Sequence, residues 1–180
     1  MLQLEVNNEI ILKSFNKDDA AELLNCIQRN TAHLQHWIPW IKPQSDLLQI
    51  EDFILEQIKN AEHQEGIMLG IFKNEKLIGM VGLQDWDHQL GIAELGFWLA
   101  ESEMGKGTMT AAIKRLIQFG FTEMQLNKVM AAFAITNLRA HKLLENLGFK
   151  VEGVLRNHML HHGIKTNKVI MGFLKEEWVH

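Results

Sequence analysis

ELGFWLAESEMGKGTMTAA, residues 94–112, opens as a buried strand and ends as a helix. From Met109 onward, Ala112, Ile113, Leu116, Ile117 and Gly120 follow at i+3, i+4, i+7, i+8 and i+11, which is the spacing of one helical face. Between strand and helix stand Gly105 and Gly107, on either side of Lys106. Short glycine turns let successive backbone N–H groups converge. Added to the positive end of a helix beginning near Gly107, they make a site for phosphate or pyrophosphate. The spacing satisfies neither G-x-G-x-x-G nor G-x-x-x-x-G-K-[ST], which disfavours a nicotinamide or nucleoside-triphosphate enzyme. Taken alone, G-K-G reads equally well as a tight strand-to-helix turn.

Toward the C-terminus, KVMAAFAI (128–135) is a strand of buried type. Asn137 then caps a helix whose Ala140, Leu143, Leu144 and Leu147 form one stripe, stopped by Gly148. Closing strands are expected at about 149–156 and 167–174. Toward the N-terminus, strands at 67–72, 77–83 and about 91–99 are joined by short connections, so antiparallel neighbours are expected. Earlier still, the pattern predicts a strand at 9–15 and a helix over about 18–30 capped by Asp18-Asp19. A second helix is capped by Ser45 or Asp46 and runs to about 60. The segment HLQHWIPWIKP (33–43) is aromatic and Pro-broken, a loop or a single turn. Strand, helix, strand, helix, strand from residue 91 requires at least one parallel pair. The expected fold is α/β (α+β): one domain over 1–180 with a central mixed, mostly antiparallel sheet flanked by helices.

Composition narrows function by exclusion. The chain has 180 residues, 47% of them hydrophobic, with one Cys, so a disulfide scaffold and low-complexity disorder both lose support. A formal charge of −4 lacks the broad basic surface that direct nucleic-acid binding uses. No run approaches the ~18 apolar residues that span a bilayer, and MLQLEVNNEIILKSF has no signal-peptide pattern. A cytoplasmic location, with no membrane partner, is the expectation.

GFWL ending a strand, the x-x-G-K-G that opens an amphipathic helix, and NLRAHKLLENLGFKVEG (137–153) are strong jointly and weak singly. Together with the closing Glu177-Trp178 they resemble the GNAT superfamily of acetyl-CoA-dependent N-acetyltransferases. Within it they are similar to the branch of ribosomal-protein and N-terminal alanine acetyltransferases. The resemblance implies acetyl-CoA as donor, splayed central strands with the pantetheine arm between 94–99 and 128–135, and a primary amine as acceptor. It implies pyrophosphate on the amides of Met104, Gly105, Lys106, Gly107, Thr108 and Met109, and the thioester carbonyl on amides near Phe97, Trp98 and Leu99. Asn137 would contact the cofactor arm, and Lys106, Arg139 and Lys142 would meet its phosphates. A homodimer is also implied, although no heptad argues for it.

The chain departs from that pattern. Ser102 stands where Gln or Arg usually begins the pyrophosphate motif, Ala140 replaces the branch's serine, and there is no Tyr anywhere to protonate the departing thiolate. Glu94, in an otherwise apolar strand, is the candidate general base, directly or through water; its plainer role is pairing with a neighbouring Lys or Arg. The resemblance implies that His36, Trp37 and Trp40 line an acceptor groove, the alternative being a hydrophobic plug or a dimer contact, and Asp85 binds an ammonium group or merely decorates a hairpin tip. Cys26 lacks an activating basic neighbour. His158, His161 and His162 form H-x-x-H-H, in which i and i+3 fall on opposite strand faces, and H-E-x-x-H is absent, so no metal is expected. The favoured acceptor is a protein N-terminus, with a ribosomal protein as the example the resemblance implies. The alternatives are a small-molecule amine such as a polyamine or amino-sugar antibiotic, and a CoA-binding regulator without activity.

Overall fold

The structure, a computed structural model, describes residues 1–38, 41–42 and 44–178. Its strands are β1 (Gln3–Glu5), β2 (Ile10–Ser14), β3 (Ile67–Lys73), β4 (Lys76–Asp87), β5 (Ile92–Leu99), β6 (Lys128–Ala134), β7 (Lys150–His161) and β8 (Ile164–Leu174). Its helices are α1 (Ala20–Leu34), α2 (Leu47–Glu62), α3 (Thr108–Thr122) and α4 (Leu138–Asn146). All eight strands join one sheet in the order β1-β2-β3-β4-β5-β6-β8-β7. Every neighbouring pair is antiparallel except β5 and β6, which are connected through α3. Among the described residues no helix is long and apolar enough to cross a membrane.

Alternation puts apolar residues on both faces of the inner strands, so each face takes a helical layer. Leu12, Ile71, Val81, Leu95, Val129 and Met171 pack with Ile113, Leu116 and Ile117 of α3 and Leu144 of α4. On the opposite face Phe72, Met80 and Trp98 meet Leu23 and Ile27 of α1 and Ile50 and Ile54 of α2. Each fully buried side chain of this size contributes about 1.5–3 kcal/mol. The predicted stripe of α3, from Met109 to Gly120, is buried throughout.

Several boundaries differ from expectation, each for a local reason. The cap expected at Asp18-Asp19 belongs to Asn16, whose Oδ1 accepts from the Asp18 amide at 2.8 Å while Asp19 Oδ2 accepts from the Asn16 amide at 2.8 Å. That box closes a single 3-10 turn, from which α1 continues. Asp46 does cap α2, accepting from the Gln49 amide at 2.9 Å. Strand β1 is too short to carry a period. Strand β4 runs past the expected end at 83, because a bulge between Gln84 and Asp87, with Asp85 at φ 51°, lets it continue with polar residues. Asp85 therefore lies within a strand, not in a hairpin tip. The closing strands reach His161 and begin at Ile164; most of edge strand β7 is exposed, so burial leaves little pattern there to read.

Candidate active site

Strands β5 and β6 pair only at Ile92 with Lys128, Ala93 with Val129, and Glu94 with Met130. Beyond that point they part, and the sheet opens into a cleft. The Ala100 amide donates to the Ile78 carbonyl at 2.7 Å, which fixes the alternation along β5. Trp98, Gly96 and Glu94 also bond to β4, so the backbone groups of Phe97 and Leu99 face the gap. Of the three amides expected to receive a carbonyl oxygen, Trp98 is thus turned the other way.

Two cavities meet at this opening. One, about 610 Å³, runs from Trp98 and Leu99 past Met104, Gly105, Gly107 and Met109 to Arg139. The other, about 530 Å³, is lined by Glu94, Gly96, Ala132, Phe133 and the segment around His36. Trp37, Phe97, Trp98, Asn137 and Ala140 belong to both walls. At the outer end of the first cavity, Gly105 and Gly107 take φ 75° and 80°, and a Cβ on either would meet nothing within 4 Å. Gly107 is the N-cap of α3, with no side chain capping the helix, so the first-turn N–H groups remain for an anion. Glu103 accepts from both Lys73 (3.3 Å) and Lys106 (3.2 Å), fastening the loop, and an Arg139 Nη1 donates to the Met104 sulfur at 2.9 Å. Asn137 spends its Oδ1 on the Ala140 amide at 3.1 Å, starting α4 beside the cleft. Trp98 Nε1 is, among the described residues, the one buried side-chain polar atom without a partner. Such a donor is costly unless an acceptor arrives from a ligand.

Glu94 sits where the strands part and faces the second cavity. No hydrogen bond or ion pair engages its carboxylate among the described residues. Burial raises its pKa above the usual carboxylate range; Lys168 pulls it down and Asp85 pushes it up. The pairing role is therefore not the one taken. Cys26 is buried, and its thiol is pushed up to about 11, first by that burial, which removes it as a nucleophile at neutral pH.

Residues 9–150 match the family model described as an acetyltransferase (GNAT) domain. The chain belongs to the GNAT acetyltransferase family. This acetyltransferase is 31% identical over 179 residues to "Putative ribosomal N-acetyltransferase YdaF" of Bacillus subtilis, covering 99% of this chain and 98% of that protein. It is 25% identical over 175 residues to a spermidine N(1)-acetyltransferase of Vibrio cholerae, covering 97% and 98%. Among solved structures, the microcin C7 self-immunity acetyltransferase MccE, in complex with acetyl-CoA and AMP, superposes with a TM-score of 0.88 at 25% identity over 94% of each chain. Acetyl-CoA is the donor of this family, and the open glycine cradle, the long shared cleft and the orphan Trp98 donor all suit it.

The remaining expected site residues of the acetyltransferase divide. Phe97, Trp98, Leu99, Met104, Gly105, Gly107, Thr108, Met109, Asn137 and Arg139 all line the first cavity. Lys106 and Lys142 line neither cavity; Lys106 is held by Glu103, and Lys142 is exposed on α4. Asp85 reaches Glu94 only through its charge. His36 and Trp37 stand at the mouth of the second cavity, whereas Trp40 lies outside the described residues. Sequence reading missed the partners at that mouth, His161 and His162. His161 is stacked on Trp37 (5.0 Å between centroids), and burial, then His162 and His36, hold its imidazole below the ordinary pKa. The alternation argument separated His158 from His161 correctly for a strand, but a hairpin turn at His162 and Gly163 breaks alternation.

Proposed function

We propose that the protein acetylates the N-terminal α-amine of a protein, with a ribosomal protein as the favoured acceptor. The observation that carries this reading is the half-buried, unpaired Glu94 at the parting of β5 and β6, facing the second cavity. An α-amine with a pKa near ~8 is about one-tenth neutral at pH 7, whereas a side-chain amine near ~10.4 is neutral about once in a few thousand. The α-amine therefore needs far less help from a carboxylate base than a side-chain amine does. Glu94 takes the amine proton, directly or through one water, as the nitrogen attacks the thioester carbonyl. The Phe97 and Leu99 backbone, facing the gap, supplies N–H donors where negative charge develops on that oxygen; one such donor contributes about 3–4 kcal/mol in well-studied acyl transfer. The amine loses one proton and the departing thiolate gains one. A thiol pKa near ~8.5 makes that departure tolerable without the tyrosine this chain lacks. The glycine loop and the first turn of α3 hold the pyrophosphate, with Arg139 beside it.

A polyamine is the second reading, motivated by the spermidine acetyltransferase relative. Against it, Glu94 is the one carboxylate among the described residues lining the acceptor cavity, and a polycation needs several anchors. Mass-spectrometric assay with acetyl-CoA and a panel of N-terminal peptides, spermidine and an aminoglycoside tests the assignment. Peptide α-amine acetylation supports it; preference for spermidine overturns it; donor binding without transfer to any amine marks a CoA-binding regulator.

A further inference from the structure

We propose that His36, His161 and His162 form a binding site for a divalent transition-metal ion of the zinc class, which fastens the segment after α1 to the β7–β8 hairpin. The turn of that hairpin carries positive φ at both His162 (49°) and Gly163 (76°), the pattern of a type I′ turn. It brings the rings of His161 and His162 to 4.3 Å between centroids, where a continuing strand would send them to opposite faces. His36 arrives from the other side of the cleft, 4.8 Å and 4.5 Å from those rings. What distinguishes the group from simple aromatic packing is the convergence of nitrogens. One ring nitrogen from each residue lies within 4.8 Å of the other two, and His36 Nδ1 stands 2.8 Å from His162 Nε2. A tetrahedral ion with Zn–N bonds of about 2.0–2.1 Å separates its ligand nitrogens by about 3.3 Å, inside the observed span, and on binding it would replace the His36–His162 hydrogen bond.

Three imidazoles are a borderline-soft donor set that favours Zn²⁺, Ni²⁺ or Cu²⁺ over Mg²⁺ or Ca²⁺. Three protein ligands leave a fourth position for water. All three histidines line the cavity that holds Glu94, so the ion sits at its mouth, and Trp37, stacked on His161, is held with it. The ion is a fastener of that mouth, away from the glycine cradle. Its effect on catalysis rests on this cavity being the acceptor site; its binding does not.

The test uses the full chain purified without nickel chromatography and dialysed against chelator. Isothermal titration with Zn²⁺, and visible d–d absorption with Co²⁺, are expected to give one tight equivalent in a tetrahedral field. His36→Ala, His161→Ala and His162→Asn, the last chosen to suit the turn, are each expected to weaken binding by more than about tenfold with unchanged circular dichroism. His158→Ala and His88→Ala are expected to bind as the parent does. Absence of stoichiometric binding, or equal weakening by His158→Ala, overturns the site. Stoichiometric Zn²⁺ binding whose removal by chelator leaves the acceptor KM unchanged upholds the metal site and takes that cavity out of acceptor recognition, which separates failure of the metal site from failure of the functional reading.

Discussion

At the scale of single residues the proposed mechanism turns on Glu94, a carboxylate lifted in pKa by burial and without a hydrogen-bond or ion-pair partner among the described residues. A base acts when ionised, so turnover is expected to rise with pH through an acid limb lying above the ordinary Glu value of about 4.3. Glu94→Gln is expected to lower kcat by about 10²–10⁴-fold and to leave acetyl-CoA affinity unchanged, as read by steady-state kinetics beside calorimetry. A second substitution checks the sign of the electrostatics. Lys168 lowers the Glu94 pKa, so Lys168→Met must raise it and move the acid limb to higher pH. A limb that stays in place, or persists in Glu94→Gln, assigns the titration to another group. Glu94 itself was legible in the sequence as an ionisable residue amid apolar ones. Its freedom from a partner was not, since that depends on where Lys168 comes to rest across the sheet.

Among elements, α3 and its glycine loop make the sharpest test. Gly107 holds φ 80° with open space at Cβ, so any L-residue there pays a backbone cost of about 1–2 kcal/mol without a clash. Gly107→Ala and Gly107→Glu are expected to lose similar thermal stability, whereas Glu alone adds a negative charge at the anion site and weakens acetyl-CoA by more than about tenfold. Equal affinities for the two variants would locate the pyrophosphate elsewhere. Gly79 makes the opposite case: a Cβ there would lie 2.4 Å from the Trp98 carbonyl oxygen. Gly79→Ala is therefore expected to cost about 1–3 kcal/mol, measured by denaturant unfolding, because β4 and β5 must separate to admit it. Elements with a full period, such as α3, α4 and the inner strands, could be read in advance. Strand β1 and the exposed length of β7 could not, because one is too short and the other too lightly covered to alternate.

Over the whole molecule, local periodicity and the G-K-G motif pointed to residues that line the first cavity, the proposed donor half, since residues 97–109 lie close together in the chain. The second cavity, proposed as the acceptor half, is lined by His36, Glu94 and the turn at 161–163, positions far apart in the chain that the sheet order β5-β6-β8-β7 and the segment after α1 bring together. No spacing rule spans such distances, and the same distance hid the grouping of three histidines. The parting of β5 and β6 has a thermodynamic corollary. A sheet left unstitched beyond three residue pairs forgoes cooperativity at its centre, and a donor bound along that seam, as proposed, is expected to restore it in the manner of an interposed strand. Saturation to 100 times Kd is worth about 2.7 kcal/mol. For a domain of this length that is a rise in Tm of roughly 5–11 °C. The same ligand is expected to slow amide hydrogen exchange on both lips of the seam, at Phe97 and Leu99 and along 131–134, so that the two halves of the sheet stiffen together when the cleft is filled.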